Sequence, residues 1–275
     1  SGGQNNNIQN GAADANIAGG NANQVMASAV NSAIGGGQQN SVNAANGTIS
    51  GGNANEIGSN ANGAAIAGGN ANEIQPNAAF ASIAGGQNNV VNATESNIGG
   101  GANNAIGSSA ANANIAGGEN NNINSGASFA NIAGGAANQV LADATYASIG
   151  GGQNNTVNSD QATISGGNAN SIAANADNAT VAGGQNIGVA TGAVNASISG
   201  GDANQVLAAG SNAAIGGGDN NSVNANEGSI GGGANNSIGL NAAAATVSGG
   251  FDNDVAAGAN YASVAGGKNN DIQVN

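Results

Sequence analysis

The chain has no cysteine, histidine, tryptophan or arginine, and its one basic residue is Lys268. Without imidazole or thiolate there is no soft metal site and none of the usual nucleophile–base pairs. Enzymatic activity and a bound cofactor are therefore not expected. Fourteen acidic residues against one lysine give a formal charge of -13. That balance argues against nucleic acid as a partner and reads as a solubility device spread along the molecule. The lack of cysteine removes disulfides and fits any compartment. No apolar run approaches the ~18 residues of a membrane-spanning helix, so no membrane span is expected. The sequence opens at Ser1 without a signal-type segment, as a processed secreted protein or an excised fragment would. Aromatic residues are 2% and charged residues 5% of the chain, a composition that on its own would also describe disorder.

What is present rules disorder out. Ile/Val-x-Gly-Gly-x-x-Asn-x-Ile/Val recurs with its first aliphatic residue at Ile17, Ile34, Ile49, Ile66, Ile83, Ile98, Ile115, Ile132, Ile149, Ile164, Val181, Ile198, Ile215, Ile230, Val247 and Val264. A truncated copy begins at Gly2-Gly3, and every step between anchors is 17 or 15 residues. Disordered sequence has no reason to hold aliphatic residues at two fixed places per repeat. So strict a period predicts a single all-β domain over 1–275, a parallel β-solenoid (β-roll) of about 17 coils with two short strands each.

Counting the anchor as position zero, alanine stands two before it (Ala81, Ala113, Ala130, Ala147) and Ser, Thr, Asn or Ala one before it. Inward Ala, outward polar residue and inward Ile is the period-two pattern of a half-buried strand. The position three before the anchor is expected to face solvent. Gly-Gly at plus two and plus three marks a turn. Asn-x-Ile/Val at plus six to plus eight reads as a second strand with Asn and Ile/Val inward.

Stacked coils align the asparagines into one column: Asn23, Asn40, Asn55, Asn72, Asn89, Asn104, Asn121, Asn138, Asn155, Asn170, Asn204, Asn221, Asn236, Asn253 and Asn270, with Ile187 the one exception. A buried amide column satisfies its own donors and acceptors by bonding along the stack, so these residues are assigned to a structural Asn ladder. The 15-residue coils, anchored at Ile34, Ile83, Ile149 and Ile215, lack two residues of one loop and keep both strands.

Other motifs carry no chemistry. Gly-Gly-x-x-Asn differs from the calcium-binding nonapeptide by an Asn one place early in place of Asp, and calcium needs charged oxygen ligands. Asp252 and Asp254 fit a solvated turn. Lys268 lacks the remaining residues of a phosphate loop. Asn-x-Ser/Thr triplets such as Asn46-Gly47-Thr48 are expected by chance in so Asn-rich a chain. No metal site is expected. Phe80, Phe129, Tyr146 and Tyr261 share the position three before the anchor, and a column of outward aromatics suggests inter-chain or sugar contact.

Ala-Ser-Ile-Gly-Gly-Gly-Gln-Asn-Asn-Thr-Val (147–157) and Ala-Thr-Ile-Ser-Gly-Gly-Asn-Ala-Asn-Ser-Ile (162–172) resemble the head repeats of trimeric autotransporter adhesins and related phage tail-fibre repeats. The resemblance covers essentially the whole chain and implies a parallel β-roll, often trimeric, at a cell or virion surface. A weaker resemblance, to curli-type functional amyloid, implies a polymer of strand–turn–strand units.

Ser1-Gly2-Gly3 enter mid-coil and Asp271–Asn275 stop within an ordinary coil. A solenoid whose ends are open strand edges is expected to pair them with other copies, here through Ser1, Gly2, Gly3, Ile8, Val264 and Ile272. Head-to-tail contacts that do not close build filaments. The sequence thus leads to an extracellular or cell-surface filament protein whose partner is itself. The alternatives are a trimeric adhesin head or tail-fibre segment and, ranked below both, an ice-binding solenoid, for which the residue before the anchor is too irregular.

Overall fold

The computed structural model describes residues 2–274. It falls into two compact units, residues 1–137 and 138–275. Each is a parallel β-solenoid in which every coil contributes two strands of two residues, such as Asn16–Ile17 and Gln24–Val25.

The anchor residue and the one before it form the first strand, and positions plus seven and plus eight the second. In the first unit Ile17 pairs with Ile34, Ile34 with Ile49 and Ile49 with Ile66, all parallel and in register. The second strands stack likewise, Val25 on Val42 and Val42 on Ile57. The second unit repeats the pattern, with Ile198 on Ile215 and Val206 on Val223. The strands are therefore shorter than the expected runs, because the inward Ala and the inward Asn sit just outside them, each next to a corner.

A third parallel ladder, which the sequence did not announce, consists of single bridges at plus four. Asn21 pairs with Gln38, Gln38 with Asn53, and in the second unit Asp202 with Asp219 and Phe251 with Lys268. No side-chain type is shared along this ladder because it is made by backbone alone.

Left-handed backbone at residues other than glycine recurs at two corners, plus five and three before the anchor, and in several long coils also at plus eleven, as at Asn60 and Asn175. At plus five φ runs from 52° to 58°, as at Ala22, Ala71 and Asn235, and at three before the anchor it is 57° at Asn46 and Glu95. The geometry has a hydrogen-bonding reason. Strand N–H groups donate forward to the next coil, as Gln24 N does to Asn40 O, whereas corner N–H groups donate backward, as Ala22 N does to Gln4 O and Asn46 N to Val30 O. A left-handed residue turns its N–H around so that this group finds a backbone acceptor in the preceding coil.

The core consists of the two aliphatic columns, the Ala column two before the anchor and a second Ala column at plus twelve, with Ala29, Ala61, Ala110 and Ala176 fully buried. The short coils have no plus-twelve alanine to offer. Their residue at plus ten turns inward in its place: Ala44, Ala93, Ser159 and Ala225 are all buried. Registers survive the deletion, Ile83 on Ile98 and Val91 on Ile106 in the first unit, Ile149 on Ile164 and Val157 on Ile172 in the second.

Candidate functional site

The asparagine column is the most elaborately bonded feature of each unit. In the first unit Asn72 Nδ2 donates to Asn55 Oδ1 at 3.2 Å, to Gly68 O at 3.0 Å and to Gly86 O at 3.0 Å. Its Oδ1 accepts the backbone N–H and the Nδ2 of Asn89, both at 3.0 Å. Each amide thus joins three coils: its own through the first glycine of the pair, the preceding one by donating from Nδ2 to that coil's Asn Oδ1, and the next through the second glycine and its own Oδ1. The second unit repeats this at Asn221 and Asn236. The ladder is therefore more than amide on amide, since the oxygen also caps a buried backbone N–H. Asn6, absent from the expected column, belongs to it, its Oδ1 accepting the N–H and Nδ2 of Asn23 at 3.1 Å. Its signal was the same three-residue offset from the truncated Gly2-Gly3.

The two glycines of each pair are not equivalent. The second has φ of 92° at Gly20 and Gly69 and 91° at Gly233. A Cβ on Gly69 would overlap Gly86 O and stand 2.6 Å from Asn72 Nδ2. At Gly68, Gly85 and Gly117 a Cβ would meet nothing within 4 Å. The second glycine is the one that lets the backbone approach the ladder.

The four aromatics lie where the sequence put them, on the surface, with relative exposures from 49% at Phe129 to 82% at Tyr261. Each occupies the left-handed corner, with φ between 57° and 59°. Asparagine, used there at Asn31, Asn112 and Asn195, tolerates this conformation far better than a bulky side chain. The Phe80 ring lies against Gly63, one coil earlier in the same column, where a Cβ would come within 2.8 Å of Cδ1. Phe251, which the sequence reading passed over, is exposed and has Lys268 Nζ 5.2 Å from its ring centroid.

Of the residues expected at end-to-end contacts, Ser1 lies outside the described residues. Gly2 is exposed, Gly3 has φ 109°, Ile8 is exposed, Ile272 is half-buried and Val264 is buried. Ile8 and Ile272 pair with Val25 and Val255 in their respective units.

The short coils leave notches between the corners of the long coils on either side. One, of about 390 Å³, is lined by Pro76, Asn77, Asn92, Thr94 and Ser109. Another, of about 240 Å³, is lined by Asp143, Ser159, Asp160, Asn175 and Asp177. Two of its three acidic groups are engaged in holding the loop: Ser159 Oγ donates to Asp177 Oδ1 at 2.7 Å and Thr145 N to Asp160 Oδ1 at 2.7 Å. Among the described residues no three His, Cys, Asp or Glu side chains gather closely enough to hold a metal ion, and no helix is long and apolar enough to cross a membrane.

Glu56 and Glu73 face each other in register on paired strands. Burial first, and then the Glu56 charge, hold the Glu73 carboxyl above the ordinary glutamate range. The folded state thus keeps its proton to higher pH than the unfolded chain. Stability contributed at this site is present at low pH and is lost as pH rises from about 4.3 through the raised value. Glu73→Gln is expected to remove that component and to raise the neutral-pH urea midpoint. Wild-type and variant midpoints compared across this range check it; a difference that does not grow with pH contradicts it.

The chain matches no protein family and no curated protein.

What the sites offer is geometry. The ladder and second glycines fix one coil on the next, and the exposed corners display aromatic rings from a rigid scaffold.

Proposed function

We propose that the chain is a non-enzymatic structural protein whose β-solenoid subunits stack coil on coil into an extracellular filament. The observation that carries this reading is the self-complementarity of the coil. Strand N–H groups point one way, carbonyls the other, and each ladder Asn donates from Nδ2 to the Oδ1 of the preceding Asn while its own Oδ1 accepts from the N–H and Nδ2 of the following one. A coil of one copy presents what a coil of another accepts, and such a heterologous contact extends without closing. The partner is the chain itself, through the ladder and the edges that include Ile8 and Ile272. The carboxylates keep the assembly soluble.

Sedimentation of the purified chain at rising concentration tests this. The expected result is a mass distribution that grows without plateau; a mass that stops at a small fixed oligomer contradicts it.

A second reading, a trimeric adhesin head or tail-fibre segment, draws support from the aromatics. Phe80, Phe129, Tyr146 and Tyr261 hold a backbone conformation costly for bulky residues while exposed, and strain kept at a surface position suits a contact. It predicts that sedimentation stops at a trimer, and that replacing the four rings by Asn abolishes surface binding while leaving the trimer intact.

A further inference from the structure

The asparagine column is interrupted once, at Ile187, and the interruption is not symmetric. On the preceding side two of the three ladder bonds persist: Ile187 N donates to Asn170 Oδ1 at 2.9 Å and Asn170 Nδ2 to Gly184 O at 3.1 Å. On the following side all three ladder bonds are missing. Ile187 has no oxygen for the N–H or the Nδ2 of Asn204, and no amide for Gly201 O. Asn204 is fully buried. Its Nδ2 reaches Gly200 O and Gly218 O at 2.8 and 2.9 Å, while its backbone N–H has no protein acceptor among the described residues.

A second departure falls on the same coil. Position plus seven, which carries Ser171 before it and Gln205 after it, is Gly188. The nearest atoms to a Cβ there would be Gln205 Cγ at 3.8 Å and Ser171 Oγ at 4.0 Å. The missing side chain leaves a dent of about 250 Å³ lined by Ser171, Val189, Gln205 and Leu207. Glycine within a strand weakens it through lost packing and greater unfolded-state freedom.

What still joins the two coils is mainly backbone, with Ala182 N to Ile198 O at 3.0 Å, Gln185 N to Gly201 O at 2.9 Å, Gly188 N to Asn204 O at 3.0 Å and Ala190 N to Val206 O at 2.8 Å, together with two longer side-chain bonds, Asn186 Nδ2 to Asp202 Oδ1 at 3.4 Å and Ser211 Oγ to Gly192 O at 3.3 Å. The contact between the coils anchored at Ile230 and Val247 has the equivalent backbone bonds and the full ladder besides, with Asn253 N and Nδ2 on Asn236 Oδ1 at 3.2 and 2.9 Å and Asn236 Nδ2 on Gly250 O at 3.2 Å.

In a solenoid, stability is nearly a sum of nearest-neighbour terms, and a weak contact is not averaged over the whole. We infer that the contact between the coils anchored at Val181 and Ile198 is a built-in seam at which the second unit opens first. Opening there exposes the plus-four to plus-nine backbone of both coils and leaves the coils on either side folded.

Native-state hydrogen exchange on the full chain tests it. The amides of Gln185, Gly188, Ala190 and Asn204 are expected to exchange at least about tenfold faster than the matching Ala234, Ser237, Gly239 and Asn253. Equal rates overturn the inference. Ile187→Asn, which restores the column, is expected to bring the two sets together. A variant that folds with the rates still apart, or one that fails to fold because the position rejects the residue its column-mates carry, overturns it as well. Asn236→Ile is expected to transfer the fast exchange to Ser237, Gly239 and Asn253; unchanged rates there would show that the interruption does not make the seam.

Discussion

Gly69→Ala is expected to unfold the first unit or destabilise it by more than about 4 kcal/mol, whereas Gly68→Ala, one residue earlier, is expected to fold normally. At Gly69 the backbone holds φ 92°, and an added methyl carbon would collide with Gly86 O and press on Asn72 Nδ2. Both obstacles are fixed, one a backbone atom and the other a buried amide bonded to three coils. Relief would require separating the coils, which breaks the ladder and the pairing of Asn70 with Gln87. At Gly68 a methyl would meet nothing within 4 Å and the backbone lies outside the left-handed region. There alanine restricts the unfolded chain at no cost to the fold, and a gain of about 0.4–1 kcal/mol is expected. Urea unfolding of the two variants side by side is the check. Similar losses would show that both glycines serve the turn and that close approach of backbone to ladder is not what selects them.

Asn72→Ala is expected to cost about 3–5 kcal/mol, because the truncation strands several buried groups at once. The N–H and Nδ2 of Asn89 lose their shared acceptor, and Gly68 O and Gly86 O lose a donor. Of these groups the Asn89 amide retains Gly85 O and Gly101 O, and Gly86 O retains the N–H of Asn70. Asn92→Ala, at an exposed position whose side chain makes no hydrogen bond among the described residues, is the control and is expected to change stability by less than about 0.5 kcal/mol. Thermal and urea unfolding of both variants decides the matter. A small effect at Asn72 would mean that the backbone ladders hold the coils without help.

The contrast between these positions also explains what was legible beforehand. Columns that are buried must repeat the same side chain, so the aliphatic anchors, the Ala column two before them and the ladder Asn stood out by type and spacing alone. Burial confirms them, Ile66, Ala64 and Asn72 being within 1% of full burial. The bridge ladder at plus four was invisible because backbone alone makes it, and Gln38, Ala102, Phe251 and Lys268 serve equally well. The left-handed corners were hidden for the same reason. Ala22 and Phe80 stand where asparagine or glycine would have signalled them. The glycine pair looked uniform in sequence, and only the distance to the neighbouring coil separates the essential member from the permissive one. The short coils kept their strands as expected, but the inward turn of Ala44 and Ala93 in place of the plus-twelve alanine depends on a packing need that no local pattern expresses.

The seam at Ile187 and the aromatic corners are departures from an otherwise uniform column, and that is what makes them informative. In a repeat whose every coil faces the same constraints, a residue that breaks the pattern either loosens a contact, as Ile187 and Gly188 do, or displays a group outward, as Tyr261 does.

The most direct test of the proposed assembly is fibre diffraction from aligned material grown from the purified chain, with electron microscopy of the same sample. Coil-on-coil stacking predicts long filaments and a reflection near 4.8 Å along the filament axis, because the strands then lie across it. Filaments with that spacing perpendicular to the axis, or particles that stay a single trimer at every concentration, would contradict it.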